Sequence, residues 1–307
     1  MTKRHAGQRA ADRRRAIPWR QSVQAGLQAA TAVVHRMAPR AGQRVVRGRE
    51  AGYRPWDPEV IGVDTAAERA IIGALRRRGI QGTLLSEEVG ETSLGARGAR
   101  SAAGAEPVYV IQDPFDGSLL YRRGIRAHWF TALGIYGQDG QPRAAGVVDH
   151  ITGETVLADA AGAVRIARPG ARPVPLRPAA TASLDGAFLE TYLGKSSFLY
   201  PTATALRPLF ERARFILGNG GPNGFADVAS GRIDVYFAWN EALTEVFSAI
   251  YIAERAGCVV SHWDGSPVRF RPDIHAVYSL VCSANPRLHE QVLQALQGIT
   301  PPKGLLP

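Results

Sequence analysis

The sequence predicts a mixed α/β protein with two sheets, and with helices packed between and outside them. Segments with the apolar spacing of helices alternate with short apolar runs that end in turn residues. Three consecutive runs, WFTALGIYG, AAGVVDH and ETVLADA, alternate as strands of an antiparallel sheet do. With 307 residues, 45% of them hydrophobic, the chain is long enough to bury a large core, as one big domain or as two fused halves.

Two predicted helices begin the first half. Residues 20–38 place apolar side chains on one face, and a proline follows them. Residues 64–78 form the second helix, with Asp64 or Thr65 as its N-cap and a glycine after its end.

Two apolar strands then end on acidic side chains. GTLLSEE predicts a short strand that runs into Glu87 and Glu88, and VYVIQDPFDGS predicts a strand that ends in an acidic turn. Between them, residues 92–106 are rich in Gly and Ala, which is typical of a loop.

The Pro-rich residues 168–180 predict the join between two halves. The chain then divides into a basic arm (1–17), an N-terminal half (18–170) and a C-terminal half (171–307). The elements predicted after the join are strands at 187–193, 214–219 and 232–239, helices at 201–212, 222–230 and 241–256, and a final pair of strands followed by a helix at 286–296.

The net charge of +10 comes from the N-terminal region. Residues 1–50 contain twelve of the 37 Lys and Arg residues but only two of the 27 acidic residues, so the rest of the chain is balanced. A basic arm can bind anions or RNA loosely. Because aromatic residues are nearly absent from this segment, we interpret residues 1–17 as a disordered, solvated extension and do not expect nucleic acid as a partner.

The cysteines and the hydropathy pattern bear on location. Cys258 and Cys282 both lie in apolar runs, which is typical of reduced core cysteines and predicts a cytoplasmic protein. The sequence contains no run of 18 apolar residues and no apolar core of a signal peptide, so we expect no membrane span.

A pair of carboxylates at the end of the second acidic strand carries most of the chemistry. Asp113 and Asp116 lie three residues apart across a proline-fixed turn, so both can point at one place, and the carbonyl of Phe115 can join them. Hard divalent cations prefer such oxygen ligands. Gly117 allows a close backbone approach, and Ser118 is placed to begin a helix whose N-terminus favours a phosphate.

Each acidic feature, taken alone, also has an ordinary explanation. The Asp-Pro-x-Asp-Gly string is made of common turn residues, and Glu87 with Glu88 is typical of a solvated pair. Glu245 can be an acid that offsets a helix dipole. The apolar run before Asp113 and the acidic strand end upstream favour a site over a solvent turn.

Together these features resemble the inositol monophosphatase and fructose-1,6-bisphosphatase superfamily. DPFDGS resembles its Asp-Pro-x-Asp-Gly-Thr/Ser signature, and LLSEE its upstream Glu-Glu element. Asp64 in DTAAERAI matches the acid that begins the family's second helix. AERAGCVVSHWDGSPV and LVCSANPRLHEQVLQAL resemble its C-terminal segments, so the match runs from about Val23 to Leu296.

The resemblance implies a layered αβαβα fold, a requirement for Mg²⁺ and a homodimer. By position, Glu87, Asp113 and the Phe115 carbonyl resemble the ligands of a first metal. Asp113, Asp116 and Glu245 resemble those of a second, and Glu87 also resembles a contact of a weaker third ion. The N-terminal half would thus carry most of the metal site, and the C-terminal half would complete it.

The resemblance also assigns roles around the metals. Ser118 and Asp64 resemble the pair that positions the attacking water, so Asp64, Glu87 and Ser118 are the predicted catalytic residues. The backbone amides of Gly117 and Ser118 resemble those that hold the phosphate.

The chain departs from the family pattern at several positions. The family has Trp-Asp at the start of its long helix, where this chain has Trp239 and Asn240. Counting back from AERAGC gives a register in which Glu245 takes the place of the acid, and fructose bisphosphatases have Glu there. Ala238 lies near the position where many members have a Glu that contacts a substrate hydroxyl.

Other departures concern the surroundings of the substrate. Leu119 and Leu120 occupy positions that are usually polar in the family. Arg123, with arginines around it, and Lys195 are candidate substrate contacts that could reach a second phosphate. The alternative for both is a solvated basic side chain.

The sequence therefore predicts a Mg²⁺-dependent phosphatase of a small phosphate monoester, such as an inositol phosphate or a sugar phosphate. Fructose-1,6-bisphosphatase and nucleotide 3′-phosphatase activities are alternatives on the same scaffold. An alternative of a different class is a catalytically weak relative that acts as a binding protein.

Overall fold

The computed structural model describes residues 17–42, 62–95 and 106–302. The predicted arm therefore lies outside the described residues, except for Ile17, which packs against the core.

Eight strands form the first sheet within these described ranges. They are β1 (Gly82–Ser86), β2 (Gly90–Leu94), β3 (Val108–Asp116), β4 (Phe130–Gly137), β5 (Pro142–Asp149), β6 (Thr155–Asp159), β7 (Gly162–Ile166) and β8 (Val174–Pro175). The order is β2-β1-β3-β4-β5-β6-β7-β8, in which β1 and β3 are parallel and all other neighbours are antiparallel.

Five strands of the same described ranges form the second sheet. They are β9 (Phe188–Thr191), β10 (Phe215–Leu217), β11 (Val235–Ala242), β12 (Val259–His262) and β13 (Val277–Ser283). The order is β10-β9-β11-β13-β12, with β10, β9 and β11 parallel to one another.

The helices form three layers around these sheets. Their bounds are α1 (Trp19–Met37), α2 (Gly62–Arg77), α3 (Ser118–Arg122), α4 (Ser196–Ala205), α5 (Arg207–Phe210), α6 (Pro222–Ala229), α7 (Leu243–Phe247), α8 (Ile250–Ala256) and α9 (Pro286–Ala295). Helices α1 and α2 cover the outer face of the first sheet, α6 to α8 lie between the sheets, and α4, α5 and α9 cover the second sheet. This is the αβαβα arrangement that was expected.

The strands are apolar on both faces because each sheet is covered twice. In β4, Leu133 and Ile135 pack against α1 and α2, whereas Ala132 and Tyr136 face the layer between the sheets. Successive side chains of a strand point to opposite faces, so a strand buried on both faces has a continuous apolar sequence.

The predicted helix at 241–256 is wrong in its first residues. The strand β11 continues through Glu241, which pairs with Tyr278, after an irregularity in which Asn240 has a φ of +52°. The helical segment that follows is divided into α7 and α8. The local pattern favours a helix, but pairing with β13 extends the strand, and asparagine tolerates the left-handed conformation that this requires.

Other elements differ in smaller ways. Part of the loop predicted at 92–106 is strand β2, paired with β1, and residues 96–105 lie outside the described part of the chain. The helix predicted at 201–212 begins at Ser196 and is interrupted at Leu206. Strands β7 and β8 were not predicted, and β8 extends the first sheet into the Pro-rich join.

Both cysteines are buried, as predicted, and they form no disulfide within the described residues. Among the described residues, none of the helices is long and apolar enough to cross a membrane.

Candidate active site

The two acidic strand ends lie side by side because β1 and β3 are parallel neighbours. Ser86 pairs with Gln112, so the next residue of each strand, Glu87 and Asp113, emerges at the same edge of the sheet. The backbone amide of Glu87 also donates to the carbonyl of Gln112 at 3.4 Å. The parallel register therefore brings together two acids that are 26 residues apart in the chain.

An irregularity of β3 turns Asp116 toward the same edge. The register with β4 shifts between Asp113 and Asp116, and the amide of Phe115 donates to Asp113 Oδ1 at 3.2 Å. The Phe115 ring is anchored in a small core cluster with Tyr121 and Trp129. This anchor fixes the turn that carries the acids.

The turn is also held by hydrogen bonds from β4. The Thr131 hydroxyl donates to the carbonyl of Pro114 at 2.7 Å and lies 2.8 Å from His150 Nε2. Burial, and then the charge of His35, lower the pKa of His150 to about 3. The ring is therefore neutral. Because the Thr131 hydroxyl already donates its proton to the Pro114 carbonyl, the Nε2–H of His150 donates to the Thr131 oxygen.

Gly117 has a conformation and surroundings that only glycine fits. Its φ is +109°, and a Cβ at this position would lie 2.1 Å from the carbonyl oxygen of His128. Helix α3 begins at the next residue, Ser118, as predicted.

The charges of three other predicted metal ligands act on Asp113. Asp113 is 1% exposed. Burial raises the pKa of Asp113 well above its usual range, and the charges of Glu87, Asp116 and Glu245 raise it further. A hydrogen bond between the side chains of Asp113 and Glu87 also raises the pKa of Asp113.

The donor chemistry of this cluster fits a hard divalent cation. As the side chains stand, the described part of the chain has no group of three or more His, Cys, Asp or Glu residues arranged to hold a metal ion. The available donors are nevertheless carboxylates and the Phe115 carbonyl, which Mg²⁺ prefers. Gly221 keeps the space beside Asp116 open, because its φ is +82° and a Cβ there would lie 2.9 Å from Asp116 Oδ2.

The pair expected to position water is in contact. The Ser118 hydroxyl lies 2.8 Å from Asp64 Oδ1 and 3.2 Å from the Phe115 carbonyl oxygen. Asp64 is 1% exposed and belongs to the first turn of α2. The predicted proximity is thus present, and the catalytic role remains a prediction.

Glu245 has a structural contact in addition to its place beside Asp113. Its Oε2 accepts a hydrogen bond from the Ala242 amide at 2.9 Å and so caps the N-terminus of α7. The interpretation as a helix-end acid and the interpretation as a site acid are therefore compatible.

Glu241 is a further buried acid of this region, which the sequence analysis placed at the start of a helix and not among the predicted metal ligands. It is 5% exposed, and its Oε1 accepts hydrogen bonds from the Tyr236 hydroxyl and the Gly221 amide. Its Oε2 is buried and has no hydrogen-bond partner among the described residues. Burial and then the charge of Glu245 raise the pKa of Glu241 well above its usual range, with a smaller contribution from Asp116. If the sequence analysis had predicted a strand through residue 242, it would have placed Glu241 beside the site.

The predicted substrate contacts belong to the ends of two helices. Arg123 is exposed at the end of α3, and Lys195 is half-buried at the start of α4. Leu119 is 43% exposed, whereas Ala238 is completely buried. The roles of Arg123 and Lys195 stay predictions.

Comparison with known proteins agrees with this architecture. A model of the inositol monophosphatase family matches residues 19–300. A protein of Methanothermobacter thermautotrophicus named fructose-1,6-bisphosphatase/inositol-1-monophosphatase is 28% identical over 245 residues, which are 77% of this chain and 83% of that protein.

Solved structures show the same fold. An inositol monophosphatase from Anabaena (Nostoc) has 21% identity and a TM-score of 0.70, with 92% of this chain and 97% of that chain covered. The extragenic suppressor protein suhB of Bartonella henselae has 20% identity and a TM-score of 0.69, with 90% and 96% covered.

The charge cluster predicts that Asp113→Asn stabilises the metal-free protein. Because the pKa of Asp113 is raised on folding, its contribution to stability is greatest at acidic pH and is lost as the pH rises above about 4. In chelator at pH 8, the melting temperature of the variant should exceed that of the wild type by about 2 °C or more, and the difference should shrink at pH 5. Asp264→Asn, at an exposed turn, is the control. If the variant melts at a lower temperature than the wild type in chelator at pH 8, the claim that neighbouring carboxylates destabilise ionised Asp113 is wrong.

Proposed function

Because the chain belongs to the inositol monophosphatase family and is a phosphatase, we propose that it hydrolyses a small phosphate monoester with Mg²⁺ held at Asp113. The observation that carries this proposal is the wholly buried Asp113 carboxylate with three more carboxylates beside it. Buried carboxylates that repel one another need either protons or a cation at neutral pH. The family and the donor set favour the cation.

Five groups would hold the cation in this proposal. They are the carboxylates of Glu87, Asp113, Asp116 and Glu245 and the carbonyl of Phe115. A bound divalent cation supplies an activated water and neutralises charge on the phosphoryl and leaving oxygens.

The chain's own residues would orient the water and the phosphate. Ser118 donates its proton toward Asp64, which leaves the lone pairs of its oxygen available to accept a hydrogen bond from the attacking water. Asp64 is then the group toward which the proton of that water moves. The backbone amides of Gly117 and Ser118 would donate to the phosphate oxygens, at a turn whose shape depends on the glycine.

For the alcohol portion of the substrate, an inositol phosphate or a sugar phosphate is favoured. The name of the 28% identical archaeal relative covers both a sugar bisphosphate and an inositol phosphate. Glu241, whose buried Oε2 has no hydrogen-bond partner in the described part of the chain, is a candidate acceptor for a hydroxyl that Ala238 cannot bind. Fructose-1,6-bisphosphate and a nucleotide 3′-phosphate stay in the substrate panel, and Arg123 or Lys195 would contact their second anionic group.

The homodimer and the cytoplasmic location also belong to this proposal. The first is supported by the family and the second by the two reduced core cysteines. Light scattering at two protein concentrations tests the dimer directly.

We expect phosphate release from at least one of these monoesters in Mg²⁺ and none in chelator. Asp113→Asn should lower kcat by more than about 100-fold. Loss of a group that only orients a metal ligand lowers activity about 10 to 100-fold, and the loss of a ligand itself should have a larger effect. Asp264→Asn should leave kcat unchanged. No Mg²⁺-dependent release from any compound would instead support a catalytically weak binding protein.

Glu245 and Glu241 can be separated by their Mg²⁺ dependence. Glu245→Gln should raise the Mg²⁺ concentration for half-maximal activity by about 10-fold or more, because a carboxylate beside Asp113 is lost. Glu241→Gln should chiefly raise KM for the substrate. If only Glu241→Gln shifts the Mg²⁺ titration, Glu241 is the ligand and the assignment of Glu245 is wrong.

A further inference from the structure

A fully buried acid of α2, Glu68, lies directly behind the predicted metal ligands. It is 1% exposed and one helical turn after Asp64 on the same face of the helix. Its Oε1 accepts a hydrogen bond from the Ser86 hydroxyl at 2.5 Å and lies 3.5 Å from Gln112 Nε2. The backbone amide of Val89 donates to the same carboxylate.

These partners flank the predicted ligands in the sequence. Ser86 and Val89 stand on either side of the Glu87–Glu88 pair, and Gln112 directly precedes Asp113. Gln112 Nε2 also donates to the Ser86 hydroxyl oxygen at 3.0 Å, which closes a buried network of three side chains. The network therefore joins the last residue of β1 to the paired residue of β3, and a predicted ligand directly follows each of them.

Fold stability alone does not account for this acid. Burial raises the pKa of Glu68, and the hydrogen bonds from Ser86, Val89 and Gln112 only partly reverse this effect. Replacing buried polar groups with apolar groups of similar volume is often neutral or stabilising. A hydrogen-bonded carboxylate instead fixes directions, since each of its donors must approach along a lone pair.

We propose that Glu68 is a positioning residue that holds Glu87 and Asp113 in place for a divalent cation and so sets the cation affinity of the site. This inference rests on the proposed function, because it presumes that these two acids bind the cation. Glu68 acts through Ser86, Val89 and Gln112, and it contacts neither the cation nor the substrate. Groups that orient metal ligands typically change affinity about 10 to 100-fold when they are removed.

The test measures Mg²⁺ binding by calorimetry, without substrate, together with melting temperatures in chelator. The variants are Glu68→Gln, which keeps the volume of the side chain, and Ser86→Ala, which removes its 2.5 Å hydrogen bond. Ser283→Ala is the matched control, because Ser283 is also completely buried and makes one side-chain hydrogen bond, to His289 Nδ1.

We expect Glu68→Gln and Ser86→Ala each to raise the Mg²⁺ Kd about 10 to 100-fold, with little loss of melting temperature in chelator for Glu68→Gln. Ser283→Ala should leave the Mg²⁺ Kd unchanged. Because Glu68 and Ser86 share the hydrogen bond between them, the loss of Mg²⁺ affinity in the double variant should be smaller than the sum of the two single losses.

Two results would overturn the proposal in distinguishable ways. If the wild type binds Mg²⁺ and both variants bind it within twofold of the wild type, Glu68 is a structural residue and the proposed function stands. If the wild type itself binds no Mg²⁺ in calorimetry, the proposed function fails, and the positioning role fails with it.

Discussion

The repulsion between Asp113 and its neighbouring carboxylates is the constraint on which the site depends. Asp113 is buried at a sheet edge, and the charges of Glu87, Asp116 and Glu245 all raise its pKa. In a protein selected only for stability, such a group would be replaced or paired with a cationic side chain. Its presence among other acids makes sense if a cation binds there, and the proposed chemistry follows from that cation.

The fold gathers these charges through long-range packing. The parallel pair β1 and β3 supplies two acids at one edge, and α7, in the layer between the sheets, brings Glu245 to the same place. Helix α2 contacts the site at two points. Asp64 accepts a hydrogen bond from Ser118, and Glu68 accepts one from Ser86. One rigid helix thus connects the turn that would bind phosphate to the strand end that would bind the cation.

The parts of the site that are local in sequence were predictable. The segment from Asp113 to Ser118 is specified by proline, glycine and the apolar run before it: β3 continues through Asp116, Gly117 has a positive φ, and α3 begins at Ser118 as expected. The helices α1, α2, α6 and α9 begin and end within about two residues of the expected positions, because apolar periodicity and prolines mark them. The layered fold was also expected, although from the family resemblance.

The parts that depend on tertiary contacts were missed. Glu68 lies within a predicted helix, and nothing in the α2 sequence shows that its partners are Ser86 and Gln112. The extension of β11 through Glu241 depends on pairing with Tyr278, which overrides a locally helical pattern. Apolar periodicity predicts single helices and strands, and it does not predict which residues of separate elements contact one another.

The central claim is that Asp113 and its neighbouring acids bind a divalent cation. The most direct measurement is anomalous X-ray scattering from crystals of the protein grown with Mn²⁺ as a substitute for Mg²⁺. The account predicts an anomalous peak within ligand distance of the carboxylates of Asp113 and Glu87. A saturating Mn²⁺ concentration that gives no peak there, with the two carboxyl groups still hydrogen-bonded to each other, would contradict it.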